Sequence, residues 1–190
     1  MELMSASPTV LELTPAQHPL WLCQKLAPDA PLYNMAFLFT LREKQTEKQT
    51  GEQIEKLDAD RFQAAFRMLV RQCDALRIVI NEEDGRPQQQ VLKAIEDTVA
   101  VLNFQDKENA QAAAREWCEQ RSQQPFHLSV QLFDTALIHC PNNITLWYLN
   151  QHHLITDMVS LKQLYQEMSR LYAQLPELAD SPSPQPAYAD

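Results

Sequence analysis

Glycine is nearly absent from this chain: Gly51 and Gly85 are the only two in 190 residues. That scarcity excludes the dinucleotide fingerprint and the P-loop, which need several glycines for tight turns and close backbone approach to phosphate. Basic charge is also short, with 16 Lys and Arg against 25 Asp and Glu and a net charge of −9. An acidic surface of this kind argues against binding to a phosphate backbone. No run approaches the ~20 apolar residues that span a bilayer, and the N-terminus lacks a basic start leading into an apolar stretch. A cytoplasmic protein with no nucleic-acid or membrane partner is therefore expected. The four cysteines, Cys23, Cys73, Cys118 and Cys140, show no zinc-type or redox-type spacing, so reduced and mostly buried thiols are expected. Asn143-Ile144-Thr145 is formally a glycosylation acceptor, but it carries no meaning without secretion.

What the chain does contain is alternating helical and strand periodicity. Residues 1–10 show no pattern and are expected to fray. Thr14, Pro15 and Gln17 then read as a helix start with a capping box, and Pro28 as its stop. Tyr33–Leu41 reads as a buried strand. Arg42–Lys56 repeats Glu-Lys-Gln-Thr twice (43–46 and 47–50) and, with little to bury, reads as a polar loop or extension. Asp58 is the expected cap of a helix whose Phe62, Ala65, Phe66, Leu69, Val70 and Cys73 form one stripe. Leu76–Ile80 and Gln88–Leu92 are expected to pair as a hairpin across the Asn81–Gly85 turn, with Asp84-Gly85 taking positive φ. A strand is expected over 99–102 and a helix over Ala110–Gln120 with Trp117 as its core anchor. Leu132–His139 and Ile144–Gln151 read as a second hairpin. A final helix carries Leu161, Leu164, Tyr165, Met168, Leu171, Tyr172 and Leu175 on one stripe, with its aromatics serving as core. The class is α/β, a mixed sheet packed with helices.

One polar cluster has catalytic chemistry. His152 and His153 end the last strand, and Asp157 follows four residues later. Successive strand residues point to opposite faces, so one histidine faces the interior and the other a cleft. That geometry makes a two-histidine metal grip awkward, and no spacing names a further ligand. A histidine near neutral pKa is a natural general base. A Ser160–His153–Asp157 relay would be cramped, because all three residues lie within eight positions. On these residues alone, a core histidine beside an N-capping aspartate is an equal reading.

Three motifs in order extend this reading. Leu13-Thr14-Pro15-Ala16-Gln17-His18-Pro19-Leu20-Trp21-Leu22, followed by Pro28-Asp29-Ala30-Pro31-Leu32-Tyr33-Asn34, resembles the first motif of the condensation domains of nonribosomal peptide synthetases. Cys73-Asp74-Ala75-Leu76-Arg77 resembles their second, His-Glu-x-Leu-Arg-Thr, and His152-His153-Leu154-Ile155-Thr156-Asp157-Met158 resembles the active-site motif HHxxxDG. Pro186-Ala187-Tyr188-Ala189-Asp190 resembles the start of the linker between lobes. The resemblance implies the N-terminal lobe of a chloramphenicol acetyltransferase-like fold, two lobes in a V around a tunnel. It implies amide formation from an acyl or peptidyl thioester and an amine. Peptidyl or acyl carrier protein domains would deliver the substrates on phosphopantetheine arms, with no cofactor bound directly. His153 would be catalytic. His152, Asp157 and Arg77 would support the loop, the last two as an ion pair.

The chain departs from the family pattern at several points. Met158 stands where the motif has glycine, and a side chain there is expected to shift the loop or crowd the tunnel. Cys73 and Ile78 replace the usual histidine and threonine of the second motif. By length, the chain is expected to divide into a flexible N-terminus (1–10), one lobe (11–178, including the 42–56 loop) and the start of a linker (179–190) to an absent second lobe, in cis or in trans. Two other readings stay open: a non-catalytic interaction lobe, and a coenzyme A-dependent acyltransferase, since the same fold and motif serve such enzymes.

Overall fold

The computed structural model describes residues 9–41, 57–95 and 99–175. In chain order these form β1 (Thr9–Glu12), α1 (Gln17–Leu26), β2 (Asn34–Leu41), α2 (Ala59–Gln72), a 3-10 turn (Asp74–Arg77), β3 (Ile78–Glu83), β4 (Arg86–Val91), β5 (Ala100–Asn103), α3 (Ala110–Ser122), β6 (Phe133–His139), β7 (Thr145–His152) and α4 (Met158–Gln174). The polar segment 42–56, the first eight residues and the expected linker lie outside the described residues. Thr9 and Val10, expected to fray, are instead strand, paired with Val91 and Gln90 of β4. Ladder pairing satisfies their backbone without any side-chain periodicity.

Local chemistry sets the helix starts. Thr14 N–H donates to Gln17 Oε1 at 2.8 Å, and Gln17 N–H donates to Thr14 Oγ1 at 3.3 Å, so the capping box is formed. Asp58 Oδ1 accepts from the backbone N–H of Asp60 and Arg61 at the head of α2. The apolar stripes of α2 and α4 then meet. Phe62, Ala65, Phe66, Leu69 and Val70 are buried on one helix, and Leu161, Leu164, Met168 and Leu171 on the other. Tyr165 joins this core, its ring 4.9 Å from Phe39.

Two sheets carry the strands. The larger is mixed, in the order β2-β7-β6-β5, with β5 parallel to β6; the smaller is antiparallel, β1-β4-β3. All eight residues of β7 are buried, because helices cover both faces of the large sheet. Trp147 and Leu149 join the α2–α4 core, while Leu146 and Tyr148 join the cluster beneath α3. This is the expected α/β lobe.

The structure corrects several local expectations. Leu76 and Arg77 lie in the 3-10 turn, so the strand expected from Leu76 begins at Ile78. Strands β3 and β4 run further than expected and are joined by Asp84 and Gly85 alone, at φ 50° and 77°. A two-residue turn with both φ positive matches the twist of the flanking strands. Trp117 is only half-buried, edge-on to Tyr148 at 5.5 Å, and the buried face of α3 is Ala110, Ala114 and Cys118. Small residues there let the helix lie close to the sheet. The cysteines are free, but only Cys118 and Cys140 are buried; Cys73 is half-buried and Cys23 exposed. Burial pushes the Cys118 thiol up to about 11. Among the described residues no helix is long and apolar enough to cross a membrane.

Candidate active site

Strand β7 delivers both histidines to one edge of the lobe, and backbone bonds hold them there. His152 N–H donates to Leu132 O, and His153 N–H to Tyr33 O, each at 2.9 Å. Their surroundings then diverge. His152 is 0% exposed, with the rings of Tyr33 and Phe126 edge-on at 6.0 and 6.3 Å. Its Nδ1 accepts from Leu154 N–H at 3.1 Å, and its Nε2 faces Gln24 Oε1 at 3.3 Å. Burial lowers its pKa to about 4, and the charge of the neighbouring His153 adds to the effect. His152 is therefore neutral at ordinary pH and has both ring nitrogens engaged inside the protein.

His153 is exposed. Its Nδ1 lies 2.7 Å from Thr156 O. A carbonyl can only accept, so Nδ1 carries the proton and Nε2 keeps its lone pair. This is the arrangement a general base needs: one nitrogen anchored as donor, the other free to take a proton. Asp157 caps α4, with Ser160 N–H donating to its Oδ1 at 2.7 Å, and that bond holds its carboxyl below the usual carboxylate range. Because His153 Nδ1 is committed to Thr156 O and not to Asp157, the Ser160–His153–Asp157 relay is not assembled.

The Arg77–Asp157 ion pair is not made either. Arg77 Nε donates to Val70 O at 3.1 Å and Nη1 to Leu92 O at 2.6 Å, while Nη2 pairs with Asp74. Val70 lies in the last turn of α2, whose carbonyls have no helical partner, so the guanidinium serves as a cationic plug there. All three guanidinium nitrogens are thus engaged, at the end of α2, in the turn that follows it and just past β4. Met158 opens α4 and is 62% exposed. The non-glycine residues at positive φ among those described are Asp84, Asn142 and Asn143. Met158 is not among them, so its side chain sits on the backbone without the strain a positive φ would bring.

Sequence reasoning missed the polar groups that hold this loop. Gln17 Nε2 donates to Leu154 O at 2.9 Å and to Gln89 Oε1 at 3.3 Å, while Gln89 Nε2 donates to Glu12 O at 3.0 Å. Gln24 is buried against His152. The available signal was the seven-residue spacing of Gln17 and Gln24, which puts both on one face of α1. Asn34, opposite His152 in the β2–β7 register, donates through Nδ2 to Ser122 O and Gln124 O, both at 2.8 Å, and so ties down the end of α3.

This architecture has known counterparts. The family model described as "Condensation domain" matches residues 7–190. The chain belongs to the condensation-domain family. It is 35% identical over 119 residues to tyrocidine synthase 3 of Brevibacillus parabrevis, which covers 62% of this chain and 2% of that protein. To a dimodular nonribosomal peptide synthase of Bacillus subtilis it is 24% identical over 167 residues, 86% of this chain and 6% of that protein. A mutant starter condensation domain of rhizomide synthetase RzmA, solved in complex with C8-CoA and Leu-SNAC, superposes with a TM-score of 0.74 at 28% identity. The match covers 87% of this chain and 35% of that one. The chain thus spans a few hundredths of its curated relatives and about a third of the solved domain, corresponding to its N-terminal portion.

Proposed function

We propose that this lobe supplies the base-bearing half of an active site that joins an amine to an acyl or peptidyl thioester, giving an amide. The observation that carries the reading is His153: exposed, anchored through Nδ1 to Thr156 O, and with its Nε2 lone pair free. As the amine nitrogen attacks the thioester carbonyl, a C–N bond forms and Nε2 takes the ammonium proton. The C–S bond then breaks and the proton leaves with the thiol. Such base assistance is worth about 10²–10⁴-fold. Substrates held on phosphopantetheine arms of carrier protein domains fit the synthetase relatives, and an acyl donor fits the C8-CoA in the rhizomide neighbour's complex. The second wall of the site would come from a C-terminal lobe, in cis or in trans. His152 and Asp157 shape the loop and do not touch substrate, and Arg77 acts further off, at the end of α2. A cytoplasmic place of action belongs to the same proposal.

The test is His153→Ala in a complete two-lobed domain carrying this lobe, assayed for amide product with carrier-bound thioester and amine. A fall of about 100-fold or more supports the reading, and undiminished product formation overturns it. Turnover of acyl-coenzyme A with none of carrier-bound thioester would move the donor to coenzyme A.

A further inference from the structure

Gln24 makes a set of bonds that leaves it no freedom. Its two amide protons are directed at Ala27 O at 3.0 Å and Ala30 O at 2.9 Å, with Pro28 O at 3.4 Å behind them. The amide is therefore oriented, and Oε1 must be the atom turned toward His152 Nε2. An oxygen that can only accept requires Nε2 to carry the proton. From the other side of the ring, Leu154 N–H can only donate, so Nδ1 must be unprotonated. Two contacts from opposite ends of the chain thus demand the same tautomer of a ring with no solvent access. The Leu154 amide lies one residue beyond His153, so whatever holds His152 Nδ1 in place also holds the backbone that presents His153.

We propose that Gln24 is a positioning residue: by fixing the buried His152 as its Nε2–H tautomer, it locks the Leu154 amide and with it the loop that carries His153. The link to catalysis rests on the reading of His153 as the working base, whereas the tautomer and the loop order do not. Loss of the proposed function would leave this inference standing on its own measurement.

The experiment uses the ¹⁵N-labelled chain. His152 should show a protonated Nε2 and a bare Nδ1, unchanged from pH 8 to pH 6; a protonated Nδ1 or a mixture of tautomers overturns the proposal. Gln24→Met removes every bond at similar volume. Hydrogen exchange at the Leu154 amide should then rise about tenfold or more, while Leu149 within β7 keeps its protection. Gln24→Glu restores only the acceptor. It should return the single tautomer and most of the Leu154 protection, and raise the His152 pKa from about 4 through the new carboxylate. If Gln24 served only to tie up the Ala27 and Ala30 carbonyls, the Glu variant would be as loose at Leu154 as the Met variant, which would refute the proposal. Should both variants fail to fold, the unaltered chain still tests the proposal, since a protonated Nδ1 or a mixture of tautomers there overturns it.

Discussion

The two sheets are stabilised by different means. In the large sheet β7 has protein on both sides. Trp147 lies 5.4 Å from Phe62 and 5.3 Å from Phe39, and its indole N–H is satisfied by Thr135 Oγ1 at 2.9 Å. In the small sheet β3 is exposed from Asn81 onward, and Val10 and Leu11 of β1 are half open. That sheet reaches the core only through the start of β3, where Val79 and Ile80 are buried and Ile78 packs on the core. Beyond that it is held by polar ties, Gln89 to Glu12 O and Gln17 to Gln89, and by a backbone bond from Ile80 N–H to Leu128 O at 2.7 Å. The contrast shows how the histidine loop gets its precision. The large sheet sets its position through dense, non-directional packing, and α1 with the small sheet sets its orientation through a few directional bonds.

The strongest way to break this comparison is at Trp147. Trp147→Ala should cost about 3–5 kcal/mol in denaturant unfolding, as a large buried ring is lost and the Thr135 hydroxyl loses the indole donor, keeping only its bond to Tyr148 O. A loss under about 1 kcal/mol would mean that the large sheet is no better packed than the small one. Next comes acid. The His152 pKa is about 4 in the fold against 6.5 when unfolded, so the unfolded chain binds the proton first as pH falls. The stability tied to keeping this ring neutral is complete above pH 6.5 and drains away between 6.5 and 4, by up to about 3 kcal/mol. Denaturant midpoints across that range should decline, and His152→Gln should flatten the decline; an unflattened profile would assign the loss to other groups. The smallest effect belongs to the small sheet. Glu82 pairs with Lys25 at 2.7 Å with both side chains well exposed, and Glu82→Ala should change stability by no more than about 0.5 kcal/mol. A larger loss would show that this rim is more cooperative with the core than its exposure implies.

Much of this lobe was legible in the sequence, and the reason is locality. The stripes of α2 and α4, the capping box at Thr14 and Gln17, the Asp58 cap and the positive-φ pair Asp84-Gly85 each depend on residues a few positions apart, within reach of periodicity and turn chemistry. The three motifs in order carried the family, and strand alternation foretold that one histidine of the pair would be buried. Tertiary structure alone decided which polar groups meet. Arg77 goes to the carbonyls of Val70 and Leu92 and not to Asp157, and Gln24 reaches His152 across 128 positions. A long polar side chain can satisfy its bonds with any partner of the right sign that folding brings near, and nothing in its own neighbourhood says which. Apolar pattern specifies a face, whereas hydrogen-bond partners exist only once the faces have been assembled.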